Sequence, residues 1–208
     1  RDIFLRTLCL VAVTLFFTSA GASQGEIILA VNTLLMQLFT LFSYVMDGFA
    51  YAGEALSGRY IGARNREAFT DTVRHLFGWG AVMAVLFTLV YALGGNAFLG
   101  LLTDDKEVIA VADTYFYWAL AVPAVGIAAF IWDGIFIGAT ATRGMLLSMA
   151  AAAVSFFILY YGLHPVLANH ALWLAFLTYL LMRGVVQTGL NREVIRRAFP
   201  SKKEPAWR

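Results

Sequence analysis

The chain has 208 residues, 61% of them hydrophobic and 13% charged, with a mean hydropathy of +0.74. That composition lies outside soluble usage, and the net charge of +2 gives no ground for a nucleic-acid partner. One cysteine, Cys9, excludes an internal disulfide framework and any multi-cysteine metal site.

Six stretches are apolar over the roughly 20 residues that a membrane-crossing helix needs. The first is expected over 3–24 and rests on the uncharged run Thr7–Gly25. Small residues at 19–22 give this run some likeness to a signal peptide, but removing it would disturb the charge alternation described below. The second, 27–56, carries Asn32, Gln37 and Ser43, meets Asp47 and continues through small and apolar residues to Glu54. The loop Gly58–Arg74 has mixed charge and reads as a short amphipathic or capped turn. The third span is expected over 75–100 and the fourth over 109–140. Between them, Thr103-Asp104-Asp105-Lys106 reads as a helix N-cap region. The fourth holds Pro123 mid-span and then Asp133. Residues 144–182 contain no Asp, Glu, Lys or Arg, enough for a fifth span over 144–163 and a sixth over 168–190. Gly162-Leu163-His164-Pro165 and Asn169-His170 mark the expected turn between them. Arg183 interrupts the sixth and is expected to snorkel to the inner interface. Residues 192–208, with Pro200 and Pro205, read as a frayed basic tail.

The charges give the orientation. Threaded through six spans, 14 of the 15 Lys and Arg residues fall on the side of the termini, leaving only Lys106 opposite. Short loops rich in Lys and Arg stay in the cytoplasm. The expected protein is all-α and multi-pass, with a bilayer around it and both ends in the cytoplasm. It opens on Arg-Asp-Ile-Phe without an initiator Met. Transporters are commonly built from tandem six-helix halves, so a preceding half is the expected partner.

Asp133, Asp47 and Glu54 carry most of the functional signal. An ionised carboxylate at mid-bilayer costs about 2.5–3.5 kcal/mol on insertion scales, so such groups usually face protein or a water-filled cavity. Both Asp residues are followed by further membrane-compatible turns. Glu54, seven residues after Asp47, shares its helix face about 10 Å further in. A desolvated carboxylate can exchange a proton near neutral pH, and with other oxygen ligands it can hold a small hard cation. Either ligand biases a two-state transporter if it binds one state better. The chemistry is ion-coupled transport, with H⁺ or Na⁺ as coupling ion and no cofactor. Cavity or hinge candidates are Gln37, Asn32, Tyr51, Tyr117, Pro123 and Gly134, although span polar groups more often bond between helices. Gly134 and Gly138 form a GxxxG that permits close helix contact. His75, His164 and His170 share no helical face with an acid, so no metal site is expected. No phosphate loop, nucleophile elbow or catalytic triad appears, and no enzyme is expected.

Two motifs resemble a known family. Asp47-Gly48-Phe49-Ala50-Tyr51-Ala52-Gly53-Glu54-Ala55-Leu56, with Gly58-Arg59 and Ile61-Gly62-Ala63-Arg64, is similar to the eighth helix of multidrug and toxic compound extrusion (MATE) transporters, especially their DinF-like branch. Trp132-Asp133-Gly134-Ile135-Phe136-Ile137-Gly138-Ala139-Thr140 resembles the tenth helix and its exit. The resemblance implies helices seven to twelve of a twelve-helix transporter with two lobes about a pseudo-twofold axis. It implies the bacterial inner membrane, and export of small amphipathic or cationic compounds against H⁺ or Na⁺. Asp133 matches an acid that helps bind the coupling cation in some members. Those members also use a Glu on the seventh helix, where this chain offers Thr18 and Ser19. Two other readings stay open: a lipid or polysaccharide-precursor flippase of the same superfamily, and a non-transporting six-helix scaffold.

Overall fold

The computed structural model of the protein describes residues 1–200. Six helices follow in chain order: α1 (Asp2–Ala22), α2 (Glu26–Gly62), α3 (Arg66–Leu102), α4 (Lys106–Gly138), α5 (Thr142–Leu167) and α6 (Asn169–Ala198). Each contains a segment long and apolar enough to cross a membrane, and the fold is all-α. Helices suit that setting because they satisfy their backbone hydrogen bonds internally, where lipid offers none.

The helices outrun the apolar stretches read from the sequence. α2 and α3 have 37 residues each, roughly 55 Å at 1.5 Å per residue, against a hydrocarbon core of about 30 Å. Their surplus forms a helical hairpin closed by the three residues 63–65. Asn65 caps α3 by accepting from the Ala68 amide at 3.0 Å, and Arg64 takes a left-handed φ of 53°. At the opposite end Asp105 caps α4, accepting from the amides of Glu107 (2.9 Å) and Val108 (3.3 Å).

Two features of the last helical pair differ from the sequence expectation. α5 runs on through Gly162–Pro165, and the break is the single residue Ala168, at φ 46° and ψ −119°. Pro165 sits in the last turn of α5, so its missing amide costs the helix only a terminal hydrogen bond. α6 continues to Ala198, so the first part of the stretch read as a frayed tail is helical. There Glu193 pairs with Arg196 and Arg197 at 2.6 and 2.7 Å.

α4 and α6 are the most enclosed helices, with α2, α3 and α5 packed around them. Hydrophobic burial does not drive helix association in lipid, so packing and polar contacts must hold the bundle. Buried bonds supply that grip at several depths. The side-chain amides of Asn32 and Asn169 bond reciprocally at 2.8 and 2.9 Å, and the Trp173 indole N–H donates to Asn32 Oδ1 at 2.9 Å. The Tyr91 hydroxyl donates to the Leu38 carbonyl at 2.6 Å.

Candidate functional site

The two acid-bearing helices, α2 and α4, touch backbone to backbone. A Cβ placed on Gly134 would overlap the Ala50 carbonyl, and one on Gly138 would collide with the Glu54 carbonyl oxygen. Gly58 reciprocates, facing the Gly138 oxygen at 3.5 Å from an added Cβ. Gly134-x-x-x-Gly138 is thus the flat strip on which α2 lies, and Asp133 stands beside it.

Asp133 is 8% exposed and fully engaged. Its Oδ2 accepts from Arg6 Nη2, on α1, and from Arg183 Nη2, on α6, at 2.5 Å. Its Oδ1 accepts from Gln187 Nε2 at 2.6 Å. Arg183 is itself only 5% exposed, with its guanidinium 5.6 Å from the Tyr179 ring and 6.0 Å from that of Phe130. The expectation that Arg183 snorkels to the interface is therefore corrected. It is enclosed in the bundle and has a carboxylate to meet. One further turn along α6 places Gln187 on the same side. Buried atoms without a protein partner remain around this cluster, namely Arg6 Nε, Arg183 Nε and Gln187 Oε1.

Asp47 is half-buried on α2 and lies within electrostatic reach of both Asp133 and Arg183. It makes no hydrogen bond or ion pair with the described residues. Glu54, also half-buried, likewise forms no ion pair among them. Both acids flank an open stripe on α2 comprising Thr33, Gln37, Leu41, Tyr44, Gly48, Tyr51 and Ala55, all exposed. Tyr51 is 70% exposed. The outer face of α3, in contrast, presents Trp79, Val85, Leu89 and Leu93, a surface that lipid suits. The α2 stripe differs from it in exposing Thr33, Gln37, Tyr44 and Tyr51.

The other candidates separate. Gln37 lines a groove of about 630 Å³ with Glu26, Thr33 and Asp105. Asn32 faces no cavity: it is buried in the amide pair with Asn169. Tyr117 is exposed, and its hydroxyl lies 3.0 Å from His170 Nδ1. The donor-only indole N–H of Trp118 reaches the same nitrogen at 3.0 Å. Pro123 is buried inside α4, which stays helical around it. Gly134 is a contact point between helices. Neither the groove with Gln37 nor the 650 Å³ cavity at the end bearing the termini is lined by Asp47, Glu54 or Asp133. Among the described residues no three His, Cys, Asp or Glu side chains gather to hold a metal ion.

Sequence reasoning singled out Asp133 and missed its basic partners Arg6 and Arg183. Two signals were present: a basic residue inside an apolar run needs a buried counter-charge, and Arg183-x-x-x-Gln187 sets two donors on one helix face.

Comparison with known proteins agrees with this architecture. The MatE family model matches residues 3–166. "DNA damage-inducible protein F" of Escherichia coli (strain K12) is 43% identical over 185 residues, which are 89% of this chain and 40% of that protein. "Protein DETOXIFICATION 45, chloroplastic" of Arabidopsis thaliana is 26% identical over 133 residues, covering 64% and 24%. The chain thus spans well under half the length of these curated relatives. A crystal structure described as MATE in the bent conformation superposes with a TM-score of 0.76 at 18% identity, over 98% of this chain and 44% of that one. With a family model matched over most of its length and a close bacterial relative, the chain belongs to the MatE family of MATE transporters.

Proposed function

We propose that this chain is the C-terminal lobe of a secondary active exporter of small amphipathic or cationic compounds in the bacterial inner membrane. An N-terminal six-helix lobe of the same polypeptide completes it, and antiport of H⁺ or Na⁺ drives it. The observation that carries this reading is the outward face of α2. There a half-buried, unpaired Asp47 sits among Tyr44, Gly48 and Tyr51 at membrane depth. A second lobe facing that stripe turns an open wall into a cavity, and relatives more than twice as long leave room for one. The acid attracts a cation, the tyrosines offer ring faces to it, and Gly48 leaves space beside them.

Exchange follows from one charge serving two ligands. A carboxylate that holds either the coupling ion or the substrate cation binds them competitively, and each biases a different state of the lobe pair. Glu54, two turns further along α2, guards the end where the termini lie. The basic residues at that end support a cytoplasmic position for it. In the full-length protein, Asp47→Asn is expected to abolish resistance to lipophilic cations in an efflux-deficient strain at unchanged membrane abundance. Wild-type resistance at matched abundance would remove Asp47 from the mechanism.

A further inference from the structure

Resting on the exporter reading, the charge balance around Asp133 decides which cations that carboxylate can take. We propose that Arg6 is a tethered internal cation that occupies Asp133 and excludes Na⁺, making it a specificity-determining residue of this lobe.

The first ground is the occupancy of the carboxylate. Arg6 and Arg183 share Oδ2, and Gln187 donates to Oδ1. A hard cation needs several oxygen ligands around it. Here three nitrogen donors already point at the only carboxylate of the cluster.

The second ground is charge. Two guanidiniums against one carboxylate leave a surplus of one positive charge, buried where the environment screens poorly. Asp47 is a second carboxylate within electrostatic reach of Asp133 and Arg183. A sodium ion arriving at Asp133 would restore the surplus and meet two like charges. Removing Arg6 reverses the balance: Arg183, Asp133 and Asp47 then sum to minus one, and half of the Oδ2 coordination falls vacant.

The third ground concerns which arginine is exchangeable. Arg183 is enclosed on α6 between Tyr179 and Phe130. Arg6 is less buried, on a helix that otherwise packs against α5, α2 and α6 and turns much of its surface outward. Its ion pair is the polar link from α1 to α4. Arg6 is therefore the cation that can leave, taking the start of α1 with it.

The test is thermal unfolding of the purified full-length transporter in sodium chloride and in choline chloride of equal ionic strength. The wild type is expected to melt at the same temperature in both. Arg6→Gln is expected to melt lower in choline and to be raised by sodium, a response the wild type lacks. A wild type stabilised by sodium in a manner lost in Asp133→Asn overturns the proposal, as does an Arg6→Gln protein indifferent to sodium. If Arg6→Gln does not accumulate, Arg6→Lys keeps the charge and must remain sodium-insensitive; a sodium response there also overturns it. Transport is assayed separately, so a protein without efflux refutes the exporter reading, whereas sodium stabilisation of the wild type that Asp133→Asn removes refutes only the role of Arg6.

Discussion

Asp133 holds two arginines at once, and that fixes what its removal does. Asp133→Asn leaves Arg6 and Arg183 buried without a counter-charge, a loss of about 3–5 kcal/mol when one partner of a buried pair is taken away. Replacing Asp133, Arg6 and Arg183 together by Leu and Met of similar volume is expected to restore most of that stability. Denaturant unfolding of the two variants separates the effects: equal losses would mean that stranded charge is not the source of the loss. A second residue carries backbone strain. Ala168, at φ 46° and ψ −119°, occupies a region that turns normally give to glycine. Ala168→Gly is expected to stabilise by about 1 kcal/mol, read as a raised melting temperature. At this scale the burial of Asp133 was legible in the sequence, because a carboxylate within an apolar run stands out. Its partners were not, since Arg6 and Asp133 are 127 positions apart and only the folded bundle brings α1, α4 and α6 together. Arg183 was read as interfacial because snorkelling is the usual escape for a basic residue near a span end. That reading needed the length of α6, which extends well past the apolar stretch.

Among the elements, the pairing of α2 with α4 positions the acids. Backbone approach at Gly134 and Gly138 leaves no room for a side chain, so Gly134→Leu must push α2 away from α4 and displace Asp47 relative to Asp133. The expected outcome is loss of efflux with a marked drop in thermal stability, whereas the same change at Gly48, where nothing lies within 4 Å of an added Cβ, should spare stability. Comparable melting temperatures for the two would contradict the tight contact. The existence and order of the six helices were plain from apolar runs and charges. Their true lengths were not, because α2 and α3 leave the apolar stretch yet stay helical, held by Asn65 and by each other. The turn between α5 and α6 moved for a related reason: a proline in a final turn disturbs little, so Ala168 breaks the chain.

For the whole molecule, the segregation of basic residues predicts which end meets which compartment. In intact cells an impermeant maleimide should label Lys106→Cys and leave Arg197→Cys untouched until the membrane is opened, with Cys9 replaced in both. The reverse pattern would invert the topology. The bundle also has unequal faces, since α3 presents an apolar wall and α2 a stripe with Thr33, Gln37, Tyr44 and Tyr51 exposed.

The 37-residue helices α2 and α3 act mechanically as lever arms. About a third to a half of each lies beyond a hydrocarbon core of roughly 30 Å, as one braced hairpin rather than two loose ends. Rocking such an arm by about 10° around the middle of the membrane sweeps its tip through roughly 7 Å. The aperture at that end is then set by helix length as much as by chemistry. Shortening the hairpin by whole turns would shorten that sweep in proportion.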